Sequence, residues 1–232
     1  MIRIKAALLA IVLEIAFQAG CPAASPGELL RVKVASICPD MFESCVPDRP
    51  ISKNIEQSPR VIPRILVPNG TKNLSKGRPV TSSDKLQIRG DLSFVTDDKK
   101  ELGGDGVLLL LDGLQWVQID LGQECEISVI WIWHDYLLWG KRLSVVYNDV
   151  IVQISNNENF GDGAVTTVFN NDANGSSRMG KGRDKQYVES PIGKPIALKE
   201  PVKGRYVRLY SAGNNFYPDN SYVEVEVYGL KL

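Results

Sequence analysis

Along its second half the chain repeatedly alternates apolar and polar positions at a spacing of two. In "QWVQIDLG" (115–122), Gln115, Val117, Ile119 and Leu121 alternate with Trp116, Gln118 and Asp120, and Gly122 stops the run. In "SYVEVEVYG" (221–229), Val223, Val225 and Val227 take one side while Glu224 and Glu226 take the other. A period of two marks a strand with one buried face. "CEISVIWIWHDY" (125–136), "DVIVQIS" (149–155), "VTTVFN" (165–170) and "RYVRLYS" (205–211) are further runs rich in Val, Ile, Tyr, Trp and Thr, the composition of half-buried pleated strands. Loops of Gly, Asn, Asp and Lys separate them, and no stretch sustains a 3.6-residue period. The pattern predicts an all-β antiparallel sandwich or barrel, without the crossover helices that a parallel sheet needs. "GVLLLLDGLQWV" (106–117) reads either as one long strand or as a strand and a turn. Its leucines suggest burial against the segment that precedes the domain.

Before residue 73 the texture differs. Residues 21–72 read as a Pro-rich tether, with prolines at 22, 26, 39, 47, 50, 59, 63 and 68 and no persistent period, which favours extended, poorly packed chain. The apolar side chains of "VIPRILVP" (61–68) are free to lie against the domain of residues 73–232. Residues 1–20 have the parts of an export signal: Arg3 and Lys5, the apolar "AALLAIVLEIAF" (6–17), then Ala19 and Gly20. The apolar run is short for a bilayer span. "QAG" followed by Cys21 resembles the bacterial lipobox, in which the cysteine is lipidated and becomes the first mature residue. Gln18 stands where that motif usually has Leu, and ordinary cleavage after Ala23 or Ala24 is the alternative. Both predict a protein that is secreted or held at the cell envelope.

The 232 residues, 44% of them hydrophobic, suffice for one well-buried domain with chain left over. Lys plus Arg and Asp plus Glu are equal at 27 each, so no global field draws nucleic acid or an anionic membrane. Besides Cys21, Cys38 and Cys45 bracket a short loop and are spaced for a local disulfide, whereas Cys125 reads as a lone buried thiol. The absence of CxxC and the single histidine, His134, argue against a zinc site. A Ser–His–Asp triad would have to use His134, with no GxSxG elbow to present the serine. Composition leaves room for two glycosidase carboxylates, but nothing marks such a pair. The expectation is a protein that binds without catalysing.

Several phrases together resemble the discoidin family, also called the coagulation factor five/eight type C domain. They are "NLSKGRPVTSSD" (73–84), "FVTDDKK" (94–100), "QWVQIDLG", "ISVIWIWH", "DVIVQIS", "GRYVRLYSAGN" and "SYVEVEVYG", in the family's order. The resemblance implies a galactose-binding-like jelly roll of eight strands, with ligand contacts in the loops at one end. It makes Trp116 a core residue of the sandwich wall. It implies a structural Ca²⁺ held by Asp97 and Glu224, with Asp98 standing where the family has Gly. Bacterial secreted relatives mostly bind carbohydrate and animal relatives bind phospholipid or protein, so fold leaves the ligand open.

A sugar site offers an aromatic plane beside side chains that fork hydrogen bonds to hydroxyls. "WHDYLLWGKR" (133–142) offers His134, Tyr136 and Trp139, and "SAGNNFYPDNSY" (211–222) offers Asn214, Phe216 and Tyr217. Trp139 and Phe216 are equally suited to plugging the sandwich end. Arg208 is a further candidate, although an arginine in a strand is commonly paired with an acid. The expected partner is a glycan of galactose or fucose type, with a protein-interaction or adhesion role as the alternative. "LLW" (137–139) gives some support to membrane insertion, which the charge balance does not help. The insertion at 170–186 reads as a mobile or ion-ordered loop.

Overall fold

The computed structural model describes residues 27–34, 55–56, 61–100, 102, 106–138, 141–142, 144–161, 163 and 165–232. The expected export signal, Cys21, the expected Cys38–Cys45 pairing and Trp139 lie outside them. In chain order the strands are β1 (Glu28–Leu29), β2 (Ile55–Glu56), β3 (Leu66–Val67), β4 (Lys72–Asn73), β5 (Val80–Ser82), β6 (Leu108–Leu110) and β7 (Gln115–Trp133). They continue with β8 (Leu137–Leu138), β9 (Lys141–Arg142), β10 (Ile151–Ser155), β11 (Thr166–Asn170), β12 (Gln186–Tyr187), β13 (Lys194–Ser211), β14 (Asn220–Tyr222) and β15 (Glu224–Lys231). A 3-10 turn spans Leu92–Thr96.

The expected antiparallel sandwich forms from one continuous sheet of seven strands, ordered β11-β10-β13-β7-β15-β4, with β5 also on β7. Long β7 and β13 serve both layers. The first half of β7 pairs with β5 and with residues 206–211 of β13, and the second half pairs with β15 and with residues 194–204. Between the halves Gly122 adopts φ 84°, a conformation open to glycine, and its N–H donates to Asp120 Oδ1 at 2.8 Å. The ladder of β13 shifts register opposite this point, between Gly204 and Tyr206. Bulges of this kind bend a strand, and here they turn one sheet into two layers. Val117, Ile119 and Leu121 from one half then meet Ile127, Ile130 and Ile132 from the other in a single core.

The other face of β7 settles two expectations differently. Trp116 is only half-buried and points away from the core, because Val117 and Ile119 beside it take the inward positions. Its company is polar: Gln118, Asp120 and, across the ladder, Arg208. Farther along, Trp131 and Trp133 also face outward, yet both are fully buried. Val67 of β3 and the partly buried Leu30, Val32, Val34 and Ile65 cover them. β1 and β3 pair with each other, and β2 joins β12 in parallel. The described parts of the supposed tether are therefore packed on the domain, since the two tryptophans give them an apolar surface to cover. The leucine run resolves as a strand and a turn. Leu108 and Leu110 enter the main core, β6 pairs with β14 rather than with the N-terminal segment, and Leu111 is exposed. Cys125 is a free thiol, buried as expected.

Candidate ligand-binding end of the sandwich

The loops that follow β7 and β13 and those that precede β10 and β15 meet at one end of the sandwich. Val223 N–H donates to Trp133 C=O at 2.9 Å, Asn148 N–H to Gly213 C=O at 2.9 Å, and Tyr147 bridges Asn214. Most of the residues singled out in the sequence gather here, but few reach the surface.

His134 is 1% exposed. Its Nδ1 lies 2.6 Å from Glu189 Oε1, and Tyr147 stacks on the ring at 4.2 Å between centroids. The Tyr147 hydroxyl lies 2.5 Å from Ser221 Oγ, and burial pushes its pKa well above the ordinary phenol value. Tyr136 is buried in the main core. His134 and Tyr136, offered as ligand candidates with a structural role as the alternative for His134, are interior residues, because β7 carries its apolar register to the last residue and the chain turns back over them.

Arg208 is also withdrawn from ligand. It sits mid-strand in β13, opposite Gln118. Its Nε donates to Gln118 Oε1 at 2.8 Å and its Nη2 to Glu158 C=O at 3.1 Å. The acid pairing expected of a strand arginine belongs to Arg205. Arg205 grips both oxygens of Asp120 at 2.7 Å each, and these bonds hold the Asp120 carboxyl below the usual range.

Asn214 is buried and organises the turn after β13. Its Oδ1 accepts from the N–H groups of Phe216 at 2.9 Å and Tyr217 at 3.0 Å, while Asn214 N–H donates to Tyr217 C=O at 2.7 Å. Asn215 ties this turn to the preceding loop, accepting from Val146 N–H at 2.9 Å and donating to Ser144 C=O at 3.0 Å. Phe216 packs one side on the core, and both it and Tyr217 are half-buried. Asn214 is therefore the support and Phe216 and Tyr217 are what it presents.

Asp97 and Glu224 are brought near each other from chain positions far apart. Asp98 takes φ 67°, so it reproduces the glycine-like turn its position implies, and its N–H donates to Glu224 Oε2 at 2.9 Å. Glu224 is 0% exposed and its Oε1 has no partner. Burial, partly offset by Lys100, pushes its pKa up to about 9. The nearby lysines are committed elsewhere. Lys100 Nζ lies 2.7 Å from Glu226, and Lys76 Nζ lies 2.6 Å from Asp98. Asp97 accepts from Lys99 N–H at 2.9 Å. Among the described residues no group of three or more His, Cys, Asp or Glu is arranged to hold a metal ion. An orphaned carboxylate oxygen beside a second acid nonetheless suits a cation whose other ligands are backbone carbonyls.

Two features were not legible as such. The insertion at 170–186 is gathered by a carboxylate. Asp172 Oδ1 accepts from Gly175 N–H at 2.7 Å and Ser176 N–H at 3.1 Å, and Oδ2 from Ser177 N–H at 2.9 Å and Ser177 Oγ at 2.6 Å. Burial works against the ion, but these donors prevail and hold its pKa below the usual range. Elsewhere, Asp84 accepts from Leu86 N–H and Leu111 N–H, 2.9 and 2.8 Å away, setting two exposed leucines side by side.

No family model and no curated protein matches the chain. Its path is similar to that of several solved structures. Chitosan-binding module 1 of a chitosanase/glucanase from Paenibacillus sp. IK-5 has 18% identity and a TM-score of 0.46, over 68% of this chain and 99% of that one. An f-lectin (fucolectin) from striped bass (Morone saxatilis) serum has 18% identity and a TM-score of 0.49, over 70% and 50%. The family 32 CBM of Clostridium perfringens NanJ, in complex with galactose, has 13% identity and a TM-score of 0.47, over 68% and 98%.

Proposed function

We propose that this chain is a non-catalytic, lectin-like glycan-binding protein of the cell envelope or exterior. The observation that carries the reading is the turn built on Asn214, which fixes Phe216 and Tyr217 as half-exposed aromatics among amide side chains. Two aromatic rings on a braced turn give a saccharide face an apolar plane at low ordering cost, while Asn214 and Asn215 are spent holding the turn in place. A single shallow platform binds weakly, so presentation of many copies on one surface raises effective affinity. The non-catalytic reading is supported by His134, the chain's single histidine, being enclosed against Glu189. The N-terminal pattern supports export, and Cys21 is the position lipid would take.

Calcium belongs to the same proposal. Glu224 Oε1 and Asp97 would hold it, and the ion would neutralise a buried carboxylate while pinning the loop after the 3-10 turn to β15.

A protein-interaction role is favoured by a different observation. Leu86, Ile88 and Leu111 are all exposed on two loops that Asp84 ties together, and exposed apolar patches mark docking surfaces. One experiment separates the readings: a glycan array of the full chain, with Phe216→Ala and Tyr217→Ala variants beside it. Binding to a defined sugar, weakened about tenfold or more in either variant, supports the lectin. A blank array from folded protein overturns it and directs attention to the leucines.

A further inference from the structure

Next to the Asn214 turn, across the Tyr147–Asn214 bridge, lies a cleft of about 450 Å³. That size falls within the ~300–1,000 Å³ range of small-ligand sites. Its lining includes Asn148, Asp149, Asn171, Asn174, Ser176 and Gln186. The wall is rigid on both sides. Asn148 is locked to β13's exit, with its C=O accepting from Ala212 N–H at 2.8 Å and its N–H donating to Gly213. The opposite wall is the loop that Asp172 gathers, and Ser176 Oγ closes onto Asp149 Oδ2 at 2.6 Å.

Asn171 forms the floor, and it has a donor to spare. Its backbone N–H donates to Val150 C=O at 3.1 Å and its Oδ1 accepts from Val150 N–H at 2.8 Å. That double bond to one residue fixes which way the amide points, so Nδ2 cannot be exchanged with Oδ1. The residue is 2% exposed and Nδ2 has no partner. A buried amide N–H without an acceptor costs roughly 1–3 kcal/mol, and the residue that carries this one is part of the cleft lining.

The chemistry of the lining selects the ligand. No lysine, arginine or aromatic ring lines the cleft, so an anion finds no counter-charge and an apolar group no surface. Amides and a hydroxyl that both donate and accept match vicinal hydroxyls. We infer that this cleft is a second saccharide subsite, which takes the hydroxyl edge of a neutral sugar residue linked to the one on Phe216 and Tyr217. The inference rests on the glycan-binding reading above and adds to it where the chain goes next, and why the receptor is selective for more than a terminal sugar.

The test is amide chemical-shift mapping of the ¹⁵N-labelled full chain, titrated separately with galactose, L-fucose and lactose, on wild type and on the Gln186→Ala, Asn174→Ala and Phe216→Ala variants. The expected result is that a disaccharide shifts Asn148–Val150 and Asn171–Ser177 together with Asn214–Tyr217. Gln186→Ala and Asn174→Ala should each weaken the disaccharide about tenfold while leaving monosaccharide binding unchanged, and well-dispersed spectra will report that they fold. Shifts confined to the Asn214 turn, with both cleft variants binding as wild type, overturn the second subsite and leave the lectin standing. No shift with any of the three sugars overturns both.

Discussion

The guanidinium carbon of Arg208 lies 4.2 Å from the centre of the Trp116 ring. Phe160 approaches the same group at 4.1 Å. Together with Gln118 they cover a charge on the outer face of a sheet, where arginine is suited because its planar group stacks on rings and is weakly hydrated. The tryptophan of "QWVQIDLG" is thus a partner of a cation across the ladder rather than a core residue.

Arg208→Lys keeps the charge and loses the fork to Gln118 and the stacking area. The expected cost is about 1–3 kcal/mol, read as a lower urea midpoint with an unchanged slope. Sugar binding at the Asn214 turn should be unaffected.

Asp172→Ala removes the acceptor for three backbone N–H groups and two hydroxyls. Stability should fall by about 2–4 kcal/mol. Hydrogen exchange should rise at Gly175, Ser176 and Ser177 well before it rises in β10.

Glu224 gives the fold a pH dependence of unusual sign for a carboxylate. The ordinary value of 4.5 applies to the unfolded chain, and burial first of all lifts the folded value to about 9. Between these pH values the folded chain holds a proton that the unfolded chain has released, so stability is greatest below 4.5 and declines as pH rises towards 9. Glu224→Gln should flatten this slope and raise the melting temperature at pH 8. Added Ca²⁺ should raise it in wild type and not in Glu224→Gln. Indifference of both proteins to the ion would remove calcium from the account.

A chain trimmed to begin at residue 73 loses Leu30, Val32, Ile65 and Val67 from over the two outward tryptophans. It should be less stable by several kcal/mol, at about 25 cal/mol per Å² of apolar surface uncovered, and should self-associate more than the intact chain in sedimentation.

Alternation at period two placed β7, β10, β15 and the second half of β13, because a one-residue slip would turn Val117 or Val225 to the wrong side, but it did not mark residues 194–204, the first half of β13. It could not tell which face of the second half of β7 was covered, since both faces there are apolar and a register shift opposite Tyr228 and Gly229 changes the parity between Ile127 and Ile130. That is why His134 and Tyr136 stood as ligand candidates when the first is enclosed just past the end of a buried strand and the second lies in the core. The Asp172 loop escaped for a different reason. A carboxylate that gathers three N–H groups depends on how a glycine- and serine-rich segment folds back on itself, and composition alone describes such a segment as loose.

The stacked tryptophans give the molecule a signal of its own. The rings of Trp131 and Trp133 stand 5.8 Å apart and are within 10° of parallel, with the Lys100 ammonium 4.6 Å from the centre of the Trp133 ring. Two indoles held so close share their electronic excitation. The ultraviolet circular dichroism of the protein should therefore carry a coupled doublet, and its fading would time the lifting of the N-terminal segment without any added label.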